Sequence, residues 1–226
     1  MDKALNINKI NSNFYSWRVA DARVVGGKNT NNGWNFSFQQ GHHHQLSDMR
    51  INLNLTNANI LGIDKTITSN TRQYDLKLKG SLGNGYKEYK SYGSDQIEDK
   101  IAKRNWGTEF DQFLAYLKAP ETTDMGSPID PAKPTLEYIF NVRLQSEGNI
   151  KTAFQNLFCD KCNEPTVTTK TLSPQGVKVF EAIWGNAGLR SNIFGTITIE
   201  ADAKDEFLDL IKSTSNNKVY GFIKSR

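Results

Sequence analysis

Two aspartates, Asp64 and Asp75, and the lysine of an Asp-x-Lys, Lys77, crowd into residues 62–80, GIDKTITSNTRQYDLKLKG. Asp64 lies in one stretch of alternating apolar and polar residues, and Asp75 and Lys77 lie in the next. If the two stretches are strands joined by a short turn at Ser69–Thr71, Asp75 and Lys77 share a face, because strand side chains alternate with period two. Asp64 then faces them across the ladder. Hard oxygen ligands of this kind suit Mg²⁺, with the backbone carbonyl of Leu76 as an extra ligand. The ammonium of Lys77 would lie beside an attacking water or the developing charge of a phosphorane. That chemistry is phosphodiester hydrolysis. Asp-x-Lys alone does not specify it, since alternating charges also keep the outer face of a strand solvated.

The elements that must position these residues change character along the chain. FYSWRVADARVV, GWNFSFQQ, MRINLNL and YDLKLKG mix β-branched and aromatic residues with period-two alternation, separated by Gly and Asn clusters. Residues 1–93 are therefore expected to form a β-rich half of turn-separated antiparallel strands. From Ser94, SDQIEDKIAKRNW and TEFDQFLAYLK place apolar residues at helical spacing behind the expected caps Ser94 and Thr108, with Gly107 as punctuation. Residues 119–134 hold four prolines and read as a loop or hinge. TLEYIFNVRLQ fits strand or helix, and NIKTAFQNLF a short helix. GVKVF and IFGTITIEA fit strands, AKDEFLDLIKS an amphipathic helix and KVYGFIKSR a last strand. One domain over 1–226, of α+β or mixed α/β class, accommodates this order.

Composition narrows the classes. A net charge of +4 and a pI near 8.9 permit a polyanionic partner without demanding one. No stretch approaches the roughly 18 uninterrupted apolar residues of a membrane span, and the first residues hold no apolar leader, so a soluble cytoplasmic protein is expected. Cys159 and Cys162 make a single C-x-x-C, whereas a structural zinc needs four soft ligands; two ordinary thiols in a loop are expected. His42, His43 and His44 read as a polar turn, and Tyr220 and Phe222 as core residues rather than stacking platforms.

Asp64, DLK at 75–77, EFDQFLAYL at 109–117, GVKVF at 176–180, GNAGLRSN at 185–192 and DEFLDLIKS at 205–213 occur in an order that resembles the PD-(D/E)xK type II restriction endonucleases, in their EcoRV- and HincII-like branch. The resemblance spans roughly residues 60–213. It implies a central mixed sheet flanked by helices, Asp64 and Asp75 as Mg²⁺ ligands, and Lys77 as the residue that orients the nucleophilic water. The chain departs from the pattern at Ile63, where the family has proline. It also has no glutamate before Glu88, so either the role of an upstream acid is absent or another group serves, with Asp48 a candidate.

The resemblance further implies a homodimer that cuts both strands of a short palindrome in double-stranded DNA, leaving blunt ends, with a companion methyltransferase in the same system. GNAGLRSN at 185–192 would be the major-groove recognition loop. There Asn186 and Asn192 suit adenine and Arg190 suits guanine, with Ser191 beside them, which tilts the site towards A·T-rich sequence. Asn57 and Asn59 would reach the minor groove or close a turn. Lys87 and Lys90, interleaved with tyrosines in GYKEYKSYG, would grip phosphates or lie on a solvated strand. An alternative from another class is a non-catalytic single-stranded nucleic-acid binder that stacks bases on its aromatic residues.

Overall fold

Leu76 and Leu78 alternate with Asp75 and Lys77, and this pattern forms strand β2, Gln73–Leu78, with both leucines buried. In the computed structural model the described residues are 44, 45, 48, 49, 60–66, 73–78, 85–118, 127–129, 136–141 and 144–226, with backbone alone described for 60–66, Gln73, Tyr74 and Lys77. Strand β1, Ile60–Thr66, runs antiparallel to β2, and β2 runs antiparallel to β3, Tyr86–Lys90. Strand β4, Leu136–Phe140, and the closing strand β7, Ile223–Ser225, then add in parallel, giving one five-stranded mixed sheet in the order β1-β2-β3-β4-β7. A mixed α+β fold is the result.

Parallel neighbours need crossovers, and helices supply them. Between β3 and β4 lie α1, Ser94–Gln96, continued as a π-helical stretch over Ile97–Ala102, and α2, Thr108–Leu117. Between β4 and β7 run α3, Glu147–Phe158; α4, Pro174–Trp184; α5, Ala187–Phe194; α6, Glu200–Lys212; and the single turn α7, Asn217–Tyr220. A two-stranded ribbon of β5, Cys159–Asp160, and β6, Thr171–Leu172, links α3 to α4. Trp106, Phe113 and Phe154 join Tyr138, Phe140 and Phe222 in one aromatic core between α2, α3 and the sheet. Phe180, Phe194 and Phe207 extend the same core among α4, α5 and α6.

Several expectations are corrected. GVKVF is helix, because Ser173 caps it through Gly176 N, Pro174 fits its first position, and Val179, Phe180 and Ile183 share the buried side at helical spacing. Gly176 is required there, since a Cβ would lie 1.9 Å from the Phe158 carbonyl oxygen. Residues 185–192 are no open loop: Asn186 caps α5, which takes up Ala187 onward. The strand expected in IFGTITIEA is absent, as Gly195 (φ 59°) ends α5 and Ile199 precedes α6. Gly93 and Gly107, not Ser94 and Thr108, hold the cap positions of α1 and α2. Cys159 and Cys162 are joined in a disulfide rather than being free thiols. Most of residues 1–59 and of the proline-rich stretch lie outside the described residues. No helix among the described residues is long and apolar enough to cross a membrane.

Candidate catalytic site at a fork between two strands

The β2–β3 ladder runs from the bond of Leu78 N–H to the Gly85 carbonyl up to the pair Leu76↔Lys87 and stops there. Continued regularly, it would turn the N–H of Tyr89 towards Tyr74. Instead that N–H donates to Asp75 Oδ2 at 2.6 Å. The strands part at this point, and the fork is where acidic groups gather.

Asp75 on β2 and Glu88 on β3 occupy the next paired positions, on the sheet face that looks towards α2. Their side chains hydrogen-bond each other. Lys90, two residues on and so on the same face, sets its Nζ 3.8 Å from Glu88 Oε2 and 5.9 Å from the centre of the Tyr138 ring. From α2, the Tyr116 hydroxyl donates to Glu88 Oε1 at 2.5 Å and Gln112 Nε2 donates to the same oxygen at 3.1 Å. Gln112 also donates to the Tyr116 hydroxyl at 2.8 Å, the two being one helical turn apart.

Electrostatics follow from this crowding. Burial, and next the charge of Asp75, push the Glu88 carboxyl up to about 8. Burial raises Asp75 as well, against the pull of Lys90 and the Tyr89 N–H. For Lys90, burial works against the charge, but Glu88, Tyr92, Asp75 and Glu109 outweigh it and hold the ammonium above the usual lysine range. Glu88 thus holds its proton at neutral pH, hydrogen-bonded to Asp75, beside a lysine held cationic.

No known protein family, curated protein or solved structure matches this chain. Residue chemistry alone therefore marks the fork as a candidate. Of the residues expected in it, Asp75 is present, and β1 places Asp64 opposite Asp75 by register, between the pairs Ile63↔Leu76 and Lys65↔Tyr74. The side chains of Asp64 and Lys77 are outside the described residues. Leu76 buries its side chain on the opposite sheet face, and its backbone closes the ladder with Lys87. Among the described residues no three His, Cys, Asp or Glu side chains converge.

The expected DNA contacts fare unevenly. Lys87 is 2% exposed, with its ammonium on Glu137 at the opposite face, so it is withheld from phosphate. Lys90 belongs to the fork. Asn186 spends its amide on capping α5 and on the Leu117 carbonyl. Arg190, Ser191 and Asn192 are exposed on α5, with the Arg190 guanidinium 5.2 Å from the centre of the Trp184 ring. Asn57, Asn59, His42 and His43 lie outside the described residues, whereas His44 is buried. Asp48, the candidate upstream acid, is buried and accepts from the Tyr89 hydroxyl at 2.9 Å on the face away from Glu88.

Sequence reasoning missed Glu88, Gln112 and Tyr116. One signal was available: Glu88-Tyr89-Lys90 repeats the acid-x-lysine spacing of Asp75-Leu76-Lys77 on the following strand. It was masked by the tyrosines and lysines around it, which read as a phosphate-gripping surface.

Proposed function

We propose that this protein is a Mg²⁺-dependent nuclease acting through Asp75, Glu88 and Lys90, with Asp64 as a further ligand. In the manner of the type II restriction endonucleases it resembles, it would cut both strands of a short palindrome in double-stranded DNA as a homodimer. The observation that carries this reading is the strand fork, where the half-buried Asp75 and buried Glu88 carboxyls hydrogen-bond each other with Lys90 Nζ 3.8 Å from Glu88 Oε2. Once the proton on Glu88 is lost the two carboxylates outnumber the Lys90 ammonium, so a divalent cation suits the place of that proton, and Asp75 and Glu88 are the residues that would hold it. Bound there, Mg²⁺ supplies positive charge to a phosphodiester at its scissile phosphate.

The chain's own groups divide the remaining work. Tyr116 and Gln112 both hold Glu88 Oε1, which leaves Oε2 directed at Lys90. Because Lys90 keeps its proton, it serves as a donor that orients the attacking water and offsets charge on the phosphorane, not as the base. Arg190, Ser191 and Asn192 on the outer side of α5 are the groups available for base or phosphate contacts. A single-strand binder finds less support, since Tyr86, Tyr89, Tyr92 and Tyr220 are all buried. The test is digestion of long, sequenced DNA, one sample of it A·T-rich, with Mg²⁺ or EDTA, and end mapping of the fragments. Discrete Mg²⁺-dependent fragments that vanish with Asp75→Ala are expected. Sequence-independent binding with both DNAs intact would overturn the reading.

A further inference from the structure

The fork is held from its far side by a short helical piece comprising His44, Gln45, Asp48 and Met49. Gln45 is 3% exposed and its Nε2 donates to the Asp75 backbone carbonyl at 3.0 Å. Asp48 accepts from the hydroxyl of Tyr89, the residue whose N–H holds the Asp75 carboxylate. His44 packs edge-on against the Tyr89 ring at 5.5 Å and meets Ser91 Oγ at 3.4 Å and the Arg226 carbonyl at 3.2 Å. One piece of chain thus grips both limbs of the fork, β2 at Asp75 and β3 at Tyr89.

That arrangement matters because the Tyr89 N–H has a competing partner. Without a grip on the Tyr89 side chain, nothing among these bonds prevents the ladder from closing by one more pair and drawing the N–H from Asp75 to Tyr74. From this we infer that Gln45 and Asp48 are positioning residues. They act through Asp75 and Tyr89 to fix where the two carboxylates stand, and the inference rests on the proposed role of Asp75 and Glu88 as metal ligands. Outer hydrogen-bond partners of metal ligands typically set affinity by about 10–100-fold.

The experiment is Mn²⁺ binding to the full chain, followed by electron paramagnetic resonance, with far-ultraviolet circular dichroism to monitor the fold. Gln45→Leu removes the donor at similar size, and Tyr89→Phe removes the hydroxyl held by Asp48. Each is expected to weaken Mn²⁺ binding about tenfold or more with the fold intact, and to lower kcat on DNA while leaving KM for DNA unchanged. Asp48→Asn keeps an acceptor for the tyrosine and should restore near-parental affinity. Parental Mn²⁺ affinity in both Gln45→Leu and Tyr89→Phe would overturn the positioning role alone. Absence of Mn²⁺ binding by the parent protein would remove the metal site and the positioning role together. Metal binding that responds to these variants, without cleavage of any DNA, would sustain the positioning role and sink the nuclease reading.

Discussion

Strand β3 buries charge on both of its faces, and the two faces handle it differently. Towards α2, Asp75 and Glu88 meet one ammonium, that of Lys90, among the described side chains. On the other face, Asp48 and Glu137 meet two cations: Lys87 pairs with Glu137, and Arg226 lies 3.7 Å from Asp48 and 3.6 Å from Glu137. Burial pulls Lys87 below the usual lysine range although Glu137 opposes it, whereas Lys90 is driven above that range. The balanced face completes its own charge and works as an anchor. Among the described side chains, carboxyls outnumber ammonium groups on the face towards α2, which makes it the candidate site.

Substitutions at the fork should break this distinction most severely. Asp75→Ala, Glu88→Gln and Lys90→Ala should each bring single-turnover cleavage to background, while Lys77→Ala keeps measurable activity. A dead Lys77→Ala beside an active Lys90→Ala would return the lysine's role to β2. On the opposite face, Lys87→Met should leave the fork's chemistry in place but destabilise the fold by about 3–5 kcal/mol, because Glu137 stays buried without its close ammonium, and Arg226 lies farther off at 3.6 Å. Urea unfolding measures this. A loss under about 1 kcal/mol would mean that the balanced face is no anchor.

Stability against pH sharpens the same comparison. The Glu88 carboxyl ionises near 4.5 in the unfolded chain but only at about 8 in the folded one. The folded state therefore binds the extra proton between those values, and stability should fall as pH rises from about 4.5 to about 8, then level off. Glu88→Gln should flatten that slope, and Mg²⁺ should raise stability most at the alkaline end. A slope unchanged by Glu88→Gln would place the titration elsewhere.

How far the sequence disclosed this depends on which physical signal each part uses. The leucine alternation of β2, the helical spacing of α2, α3 and α6 and the burial of Tyr220 and Phe222 follow local pattern, and each was legible. GVKVF misled because β-branched content outweighed the Ser173-Pro174 start signal of α4. The fork is harder to read. Alternation predicts that Lys87 and Tyr89 share one face and Glu88 and Lys90 the other, but only the parallel pairing of β3 with β4 decides which face meets α2 and which meets Glu137. The grip of Gln45 on Asp75 spans 30 residues and leaves no periodic trace at all.

The finest test concerns α2. Tyr116 donates to Glu88 and so favours its ionised form, opposing the burial and the Asp75 charge that push the carboxyl up. Tyr116→Phe deletes that donor at nearly constant shape, and Gln112 remains to hold the same oxygen. With a net hydrogen-bond contribution of about 1 kcal/mol, the Glu88 carboxyl should rise by a further ~0.7 pH unit. At neutral pH a larger share of the site then keeps its proton, and divalent-cation affinity should fall about fivefold, while the plateau reached at alkaline pH stays near the parental value. A loss of affinity that persists unchanged at high pH would mean that Tyr116 places Glu88 sterically instead of tuning its charge.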